Sequence, residues 1–173
     1  MKIAVAQIDT TVGDFAGNSR KILELGRRAE TRGRDLVLFP ELAVCGYPPR
    51  DLVERRAFIA ESERAAARIA RATGRGALAL RLAASATRAP GPAPVFNAAR
   101  SRRAAAGSSP RTASDCCPTY DVFDEGRYIE PGRPPARAAA VAAQRIGVTI
   151  CEDIWNDKTF WKHPLYPTDP VGT

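Results

Sequence analysis

The chain has 173 residues, which is enough for one domain of ordinary size with a real hydrophobic core. Its formal net charge is +7, and the basic residues concentrate between positions 55 and 111, where twelve arginines accompany only two acids, Glu61 and Glu63. Basic stretches of this kind can bind nucleic acid, but the only aromatic side chains available there to stack on bases are Phe58 and Phe96. We therefore expect no nucleic-acid partner.

The sequence also predicts neither a membrane protein nor a metal site. No apolar run approaches the roughly 20 residues that span a bilayer, and the N-terminus enters a strand pattern without a signal peptide. The single histidine, His163, and the spacing of the cysteines fit neither a zinc site nor a disulfide framework. These cysteines are Cys45, Cys116, Cys117 and Cys151. A reducing cytoplasm is the expected compartment.

The N-terminal part of the chain predicts alternating strands and helices. Residues 2–8 form an apolar strand pattern, and apolar positions recur at helical spacing over residues 18–32. Gly33 is a suitable helix stop, and residues 36–39 predict a second buried strand. Residues 52–72 predict a second helix. A strand–helix–strand order is typical of an α/β fold in which helices cover the sheet.

The pattern weakens in the middle of the chain. Residues 73–94 are mostly Ala, Arg, Gly and Pro, with one apolar patch at residues 78–82. From residue 98 to residue 117 there is no Val, Ile, Leu, Met or aromatic residue. Because such a stretch offers little apolar surface to bury, it predicts a loop or disorder.

Two predicted strands end close to chemically capable side chains. Residues 36–39 lead to Glu41, and a predicted buried strand over residues 145–150 leads to Cys151. Each residue alone is more often structural, as a solvated loop acid or a small buried side chain. In layered α/β folds, however, sites gather at strand ends, and a carboxylate can take the proton that activates a thiol. Glu41 and Cys151 are therefore a candidate base and nucleophile.

Four blocks of sequence carry a family likeness. They are Phe39–Leu42 (Phe-Pro-Glu-Leu), Gly46–Leu52 (Gly-Tyr-Pro-Pro-Arg-Asp-Leu), Pro118–Tyr128 (Pro-Thr-Tyr-Asp-Val-Phe-Asp-Glu-Gly-Arg-Tyr) and Gly147–Trp155 (Gly-Val-Thr-Ile-Cys-Glu-Asp-Ile-Trp). In this order they resemble the nitrilase, or carbon–nitrogen hydrolase, superfamily. The Gly-Tyr-Pro-Pro and Tyr-Asp-Val-Phe-Asp-Glu runs are more specific, because they resemble the amidase domain of glutamine-dependent NAD synthetases.

The resemblance implies a partial α-β-β-α nitrilase-type sandwich with a Glu-Lys-Cys triad. It assigns Glu41 to the general base, Cys151 to the nucleophile that attacks the carboxamide of glutamine, and Glu125 to a supporting acid. Tyr120 and Glu152 are assigned to the substrate pocket. The alternatives are core packing for Tyr120 and orientation of the turn for Glu152. The backbone N–H that follows Cys151 is a natural oxyanion donor.

The chain departs from the family at the triad lysine. In the family this lysine lies four residues before the proline of a Leu-Pro-x-Tyr block, and with Pro118 as that proline the position is Ser114. No lysine occurs between Lys21 and Lys158, and a serine supplies no positive charge, so we expect impaired activity. One hypothesis is that residues from about 98 to 117 are translated out of frame in the source gene.

We interpret residues 1–173 as a partial glutamine amidohydrolase domain, with residues 73–117 matching poorly and the C-terminal synthetase domain absent. The resemblance implies no cofactor for this domain, since ATP and deamido-NAD would belong to the synthetase domain. The expected partners are glutamine and that synthetase domain, and the family's multimers allow a homo-oligomer. The expected role is to supply ammonia for NAD synthesis. A stand-alone carbon–nitrogen hydrolase acting on another amide and a non-catalytic remnant are the alternatives.

Overall fold

The structure is a computed structural model that describes residues 1–73, 77–85, 95–101, 111–132, 138–141 and 143–172. Its α-helices are α1 (Phe15–Thr31) and α2 (Arg56–Ala72). Its strands are β1 (Ile3–Val5), β2 (Leu36–Leu38), β3 (Ala77–Ser85), β4 (Val95–Ser101), β5 (Arg111–Ala113), β6 (Ala138–Val141) and β7 (Gln144–Gly147). Short 3₁₀ helices lie at Arg50–Glu54, Glu125–Arg127 and Cys151–Ile154.

The main sheet has the strand order β1-β2-β3-β4-β5. The β1–β2 and β2–β3 pairs are parallel, and the β3–β4 and β4–β5 pairs are antiparallel. Helix α1 connects the parallel strands β1 and β2, as the strand–helix–strand order predicts. Strands β6 and β7 form a separate antiparallel pair. The predicted α/β fold class is therefore confirmed.

Local sequence signals determine both ends of α1. At its start the Asp14 carboxylate accepts a hydrogen bond from the Gly17 N–H at 2.8 Å, which satisfies one of the unpaired N–H groups of the first turn. At its end Gly33 has a φ of 65° and donates its N–H to the Glu30 carbonyl at 2.9 Å. Glycine adopts this left-handed conformation at little cost, so the predicted helix stop is confirmed.

The core lies between the two helices and one face of the main sheet. The fully or nearly buried members of this cluster are Ile22, Ala29, Val37, Phe39, Ala43, Val44, Ala65, Ala66 and Ile69. Because side chains alternate along a strand, the neighbours of the core-facing residues point the other way. Ile3, Val5 and Leu38 are accordingly exposed, Val5 to 74%.

The predicted helix over residues 52–72 is two elements in the structure. Arg55 has an extended conformation with φ −83° and ψ 112°, and it separates a 3₁₀ turn from α2. Within the described parts of the chain, neither α1 nor α2 is both long and apolar enough to cross a bilayer.

The prediction of a loop or disorder over residues 98–117 is wrong for residues 98–101 and 111–113, which are strand residues, whereas residues 114–117 form a loop as predicted. Strand β4 pairs with β3 from Val95↔Ser85 to Ser101↔Ala79, and β5 pairs with β4. The strands are held by backbone hydrogen bonds, which do not depend on side-chain size, and the small side chains of Ala98 and Ala99 are buried. Composition therefore underestimated the order here. Residues 102–110 lie outside the described residues.

The predicted buried strand over residues 145–150 is also corrected. The strand is Gln144–Gly147, it pairs only with β6, and its residues are exposed except for Ile146, which is half-buried. The deeply buried residue of this stretch is Ile150, which follows the strand. The apolar run does lead to Cys151. Its buried residue, Ile150, belongs to the turn and not to the strand.

Candidate active site

Glu41 lies just beyond β2, at the end of the strand that the sequence predicted would deliver it. Its carboxylate is half-buried, and its Oε1 accepts a hydrogen bond from the side-chain Nδ2 of Asn97 in β4. The next residue, Leu42, is fully buried with a φ of 51°, so the chain turns sharply at this point. Glu41 is thus held between a tight turn and a neighbouring strand.

Cys151 occupies a sharp corner between β7 and a short 3₁₀ helix. Its φ is 38°, a left-handed conformation that is uncommon for a residue with a side chain. It is the exposed member of the four cysteines, and it follows the fully buried Ile150. The corner therefore presents the thiol to solvent, as strained strand-to-turn corners do for nucleophiles in hydrolases.

The carboxylate of Asp153 holds this corner in place through hydrogen bonds. Its Oδ2 accepts the Ile150 N–H at 2.8 Å, and its Oδ1 accepts the N–H groups of Asp115 at 3.0 Å and Cys116 at 3.3 Å. Oδ1 also accepts the Ser114 hydroxyl at 3.0 Å. Asp153 therefore ties the turn that holds Cys151 to the loop that follows β5.

Ser114 is buried, with 3% of its surface exposed. Its single hydroxyl proton has two acceptors within reach, the Asp153 carboxylate and the Cys116 carbonyl at 2.9 Å. Its N–H donates to the Asn97 carbonyl at 2.8 Å. The position that resembles the triad lysine thus lies beside the Cys151 turn, and it holds a neutral side chain.

The pKa of the Tyr47 hydroxyl is affected by the candidate acids and by the thiol. Burial raises the pKa of its hydroxyl, which donates a hydrogen bond to Glu125, and the negative charges of Glu125, Glu41 and Cys151 raise that pKa further. Burial also raises the pKa of Glu125 to about 7, with a contribution from the nearby Glu41. Glu41, Glu125 and Cys151, which the resemblance assigned to one site, thus all contribute to the environment of the Tyr47 hydroxyl.

The raised pKa of Glu125 makes stability depend on pH. In the unfolded chain this carboxyl titrates near 4.5, so between that pH and about 7 the folded protein binds more protons and loses stability as the pH rises. We expect Glu125→Gln to raise the free energy of unfolding at pH 8 by about 1 kcal/mol more than it does at pH 5. The value is small because the carboxyl is only half-buried and is screened by solvent.

Urea unfolding at both pH values measures this effect. Glu63→Gln, a change at an exposed glutamate of α2, is the matched control and should leave the pH dependence unchanged. Equal pH profiles for the Glu125→Gln protein and the unmodified chain would contradict the assignment.

Glu152 lies in the wall of a cavity of about 370 Å³. Only 5% of its surface is exposed, and its carboxylate accepts hydrogen bonds from the hydroxyls of Tyr120, at 2.9 Å, and Tyr166, at 3.1 Å. Tyr120 is 45% exposed and its ring contacts Phe123 edge-on. Tyr120 is therefore a residue of the cavity wall and not of the core. The cavity is lined by Tyr120, Glu152, Trp155, Asn156, Trp161, His163, Leu165 and Tyr166.

The site contains residues that the sequence did not single out. Asn97 lies in an Ala-rich stretch, Tyr47 belongs to a block that carried the family likeness without a role for this residue, and Tyr166 lies among prolines. A polar Asn directly after the apolar pair Val95 and Phe96 was the one available signal for the first of these. Among the described residues, no group of three or more His, Cys, Asp or Glu side chains is arranged to hold a metal ion.

The fold and this geometry define a class of α/β protein in which a thiol and several carboxylates gather beyond the strand ends. Residues 2–100 match the model of the carbon-nitrogen hydrolase family. The chain belongs to the carbon-nitrogen hydrolase family, which confirms the resemblance carried by its sequence blocks.

Three similar proteins define the relationship further. A glutamine-dependent NAD(+) synthetase of Synechocystis sp. is 36% identical over 182 residues, which span 98% of this chain and 30% of that protein. A structure of glutamine-dependent NAD+ synthetase from Acinetobacter baumannii in complex with ADP is 28% identical with a TM-score of 0.77, covering 88% of this chain and 28% of its own. An amidase from Nesterenkonia sp., 22% identical with a TM-score of 0.69, covers 89% of this chain and 56% of its own and shares the fold.

Proposed function

We propose that the chain is the glutamine-hydrolysing part of a glutamine-dependent NAD synthetase. The observation that carries the proposal is the exposed Cys151 thiol on its left-handed corner, which is linked to Glu41 by hydrogen bonds through Asp153, Ser114 and Asn97. The relatives that match nearly the whole chain are named glutamine-dependent NAD(+) synthetases. Since the chain spans 30% of the Synechocystis relative, ATP, deamido-NAD and the synthetase partner concern the longer protein only.

The reaction follows from the chemistry of the two strand-end groups. The Cys151 sulfur attacks the carboxamide carbon, and its proton passes to Glu41 and then to the leaving ammonia, which leaves a thioester. A water molecule that gives its proton to Glu41 then releases glutamate and restores the thiol. The N–H of Glu152 lies directly after the nucleophile, where it can donate to the oxyanion. A reducing compartment such as the cytoplasm suits a free thiol nucleophile.

The cavity beside the corner favours a substrate with a positive charge. Glu152 supplies a buried carboxylate whose two phenol partners leave other acceptor positions of its oxygens available. Trp155 and Trp161 add aromatic surface to the wall, and aromatic faces attract cations. Free glutamine carries an ammonium group beside its carboxylate, whereas a simple amide such as acetamide does not. We therefore assign Tyr120 and Glu152 to substrate binding.

Ser114 favours the alternative of a chain with little or no turnover. A neutral residue at this position supplies no positive charge to the oxyanion, and losing one such stabilising group costs roughly 10²–10³ in rate. We therefore expect slow hydrolysis even if the binding site is intact.

Covalent labelling tests the proposal independently of turnover. An electrophilic glutamine analogue, such as a chloroketone, should modify Cys151, and mass spectrometry of the peptide locates the adduct. We expect glutamine to protect against labelling and acetamide not to protect. Cys151→Ala should abolish both the adduct and any release of glutamate from glutamine.

Cys45→Ala is the matched control, because Cys45 is a buried thiol outside the proposed site. Protection by acetamide equal to that by glutamine would favour a stand-alone hydrolase of other amides. Absence of an adduct in a folded protein would favour the non-catalytic remnant.

A further inference from the structure

The contact between Asn97 and Glu41 has no role in the reaction as described so far. Asn97 lies in the middle of β4, paired with Ala83 of β3, and only 2% of its surface is exposed. Its Nδ2 donates to Oε1 of Glu41. Among the described residues, no other hydrogen bond reaches this carboxylate, so its Oε2 is the oxygen left for chemistry.

The other end of the Asn97 side chain is unusual. Its Oδ1 is buried and has no hydrogen-bond partner. Buried polar atoms are nearly always paired, because an unpaired acceptor has lost its water and gained nothing. A leucine of similar size would fill the same space without that cost. Stability alone therefore does not account for an asparagine here, whereas a donor to Glu41 does.

The backbone of Asn97 belongs to a series of hydrogen bonds that runs from the proposed base towards the proposed nucleophile. Its carbonyl accepts the N–H of Ser114 at 2.8 Å, and Ser114 donates its hydroxyl to Asp153. Asp153 in turn holds the Ile150 N–H next to Cys151. One residue of β4 thus contacts Glu41 through its side chain and Ser114 through its main chain, and Ser114 in turn contacts the Asp153 carboxylate of the Cys151 turn.

We propose that Asn97 is a positioning residue that makes Glu41 a one-sided base, with Oε1 occupied by the amide and Oε2 left to take the proton of Cys151. This inference rests on the proposed function, because it assumes that Glu41 is the base. The amide N–H also fixes the orientation of the carboxylate, because it donates to one of its two oxygens. Among the described residues, Tyr47 and Glu125 are titratable groups on which the charge of Glu41 acts.

Alkylation of Cys151 by iodoacetamide tests the proposal without glutamine turnover. The sulfur forms a bond to the methylene carbon, iodide leaves, and the thiol proton passes to Glu41. Burial raises the pKa of both Cys116 and Cys117 to about 12, so neither competes near neutral pH. Peptide mass spectrometry follows the Cys151 adduct over time from pH 5 to pH 8.

We expect Asn97→Leu to slow alkylation about fivefold at pH 6, because the Glu41 carboxylate is then no longer held with Oε2 free for the proton of the thiol. Asn97→Asp, which keeps the shape of the side chain, should slow alkylation further, because it removes the donor and places a second acid against Glu41. The Asp variant keeps the test valid if the Leu variant does not fold. Ser19→Ala is the matched control, since it removes another buried unpaired oxygen far along the chain from the site and should leave the profile unchanged.

Repeating the Asn97 substitutions in a Glu41→Gln variant separates the positioning role of Asn97 from the role of Glu41 as the base. If Asn97 acts through Glu41, the effect of Asn97→Leu disappears in that background. A profile altered by Glu41→Gln but unchanged by both Asn97 variants would overturn the positioning role alone. A profile unchanged by Glu41→Gln would overturn the base itself and with it the proposed reaction. An Asn97→Leu effect of equal size in both backgrounds would show a structural role only.

Discussion

Replacing Ser114 with lysine should raise glutamate release from glutamine by about 100-fold, the scale of a single oxyanion-stabilising group. Ser114 lies next to the Cys151 turn, and its hydroxyl already contacts the Asp153 carboxylate. A lysine introduced there would bring a positive charge next to Asp153 and the turn that holds Cys151. The measurement is the initial rate of glutamate formation by the purified protein.

Ser114→Met is the control for this gain, because methionine has nearly the length of lysine without its charge. Circular dichroism must first establish that both variants fold, since position 114 is buried. Equal rates for the two variants would mean that bulk and not charge is responsible. A folded lysine variant with no gain would mean that position 114 does not support the oxyanion. The gain must also disappear when Cys151→Ala is added.

Replacing Asp153 with alanine should lower the free energy of unfolding by roughly 3–5 kcal/mol, the cost of breaking a buried polar network. Its carboxylate accepts hydrogen bonds from the hydroxyl of Ser114 and from the N–H groups of Asp115, Cys116 and Ile150. All four donors lose this acceptor in the variant. Because domains are stable by only about 5–15 kcal/mol, the loss is a large share of the total. Urea denaturation measures it.

Asp153→Asn should cost less, about 1–2 kcal/mol, because the remaining carbonyl oxygen still accepts from the loop after β5. Asp157→Ala is the matched control, since that carboxylate also accepts several hydrogen bonds, from Thr159 and Phe160, but is exposed and acts within one turn. We expect a much smaller loss there. Equal losses at Asp153 and Asp157 would contradict the view that Asp153 ties two distant segments together.

The fold was predictable where a signal is local. Gly33 ends α1 because glycine alone takes a φ of 65° cheaply, and that property can be recognised in the sequence. Strand β4 was not predictable in the same way, because Ala98 and Ala99 become strand residues only by pairing with β3 and β5. Strand pairing depends on which chain segments meet, and composition carries little information about that.

In the candidate site, too, the local signals were predictable and the long-range contacts were not. Glu41 and Cys151 each follow an apolar run, so the ends of two strand patterns located them. The Asn97 contact to Glu41 and the Asp153 contacts to the loop after β5 join residues 56 and up to 39 positions apart. No local pattern encodes such distances. The sequence therefore predicted the candidate groups, and the structure was needed to find what holds them.

The hydrogen bonds of Asp153 also bear on how the site forms during folding. Three of the four close loops of 37 to 39 residues, and the entropy of the open chain opposes contacts of that length. The corner that presents Cys151 therefore depends on contacts with the loop after β5 that a partly folded chain lacks. We expect the thiol to reach its final orientation only in molecules in which these two segments have met.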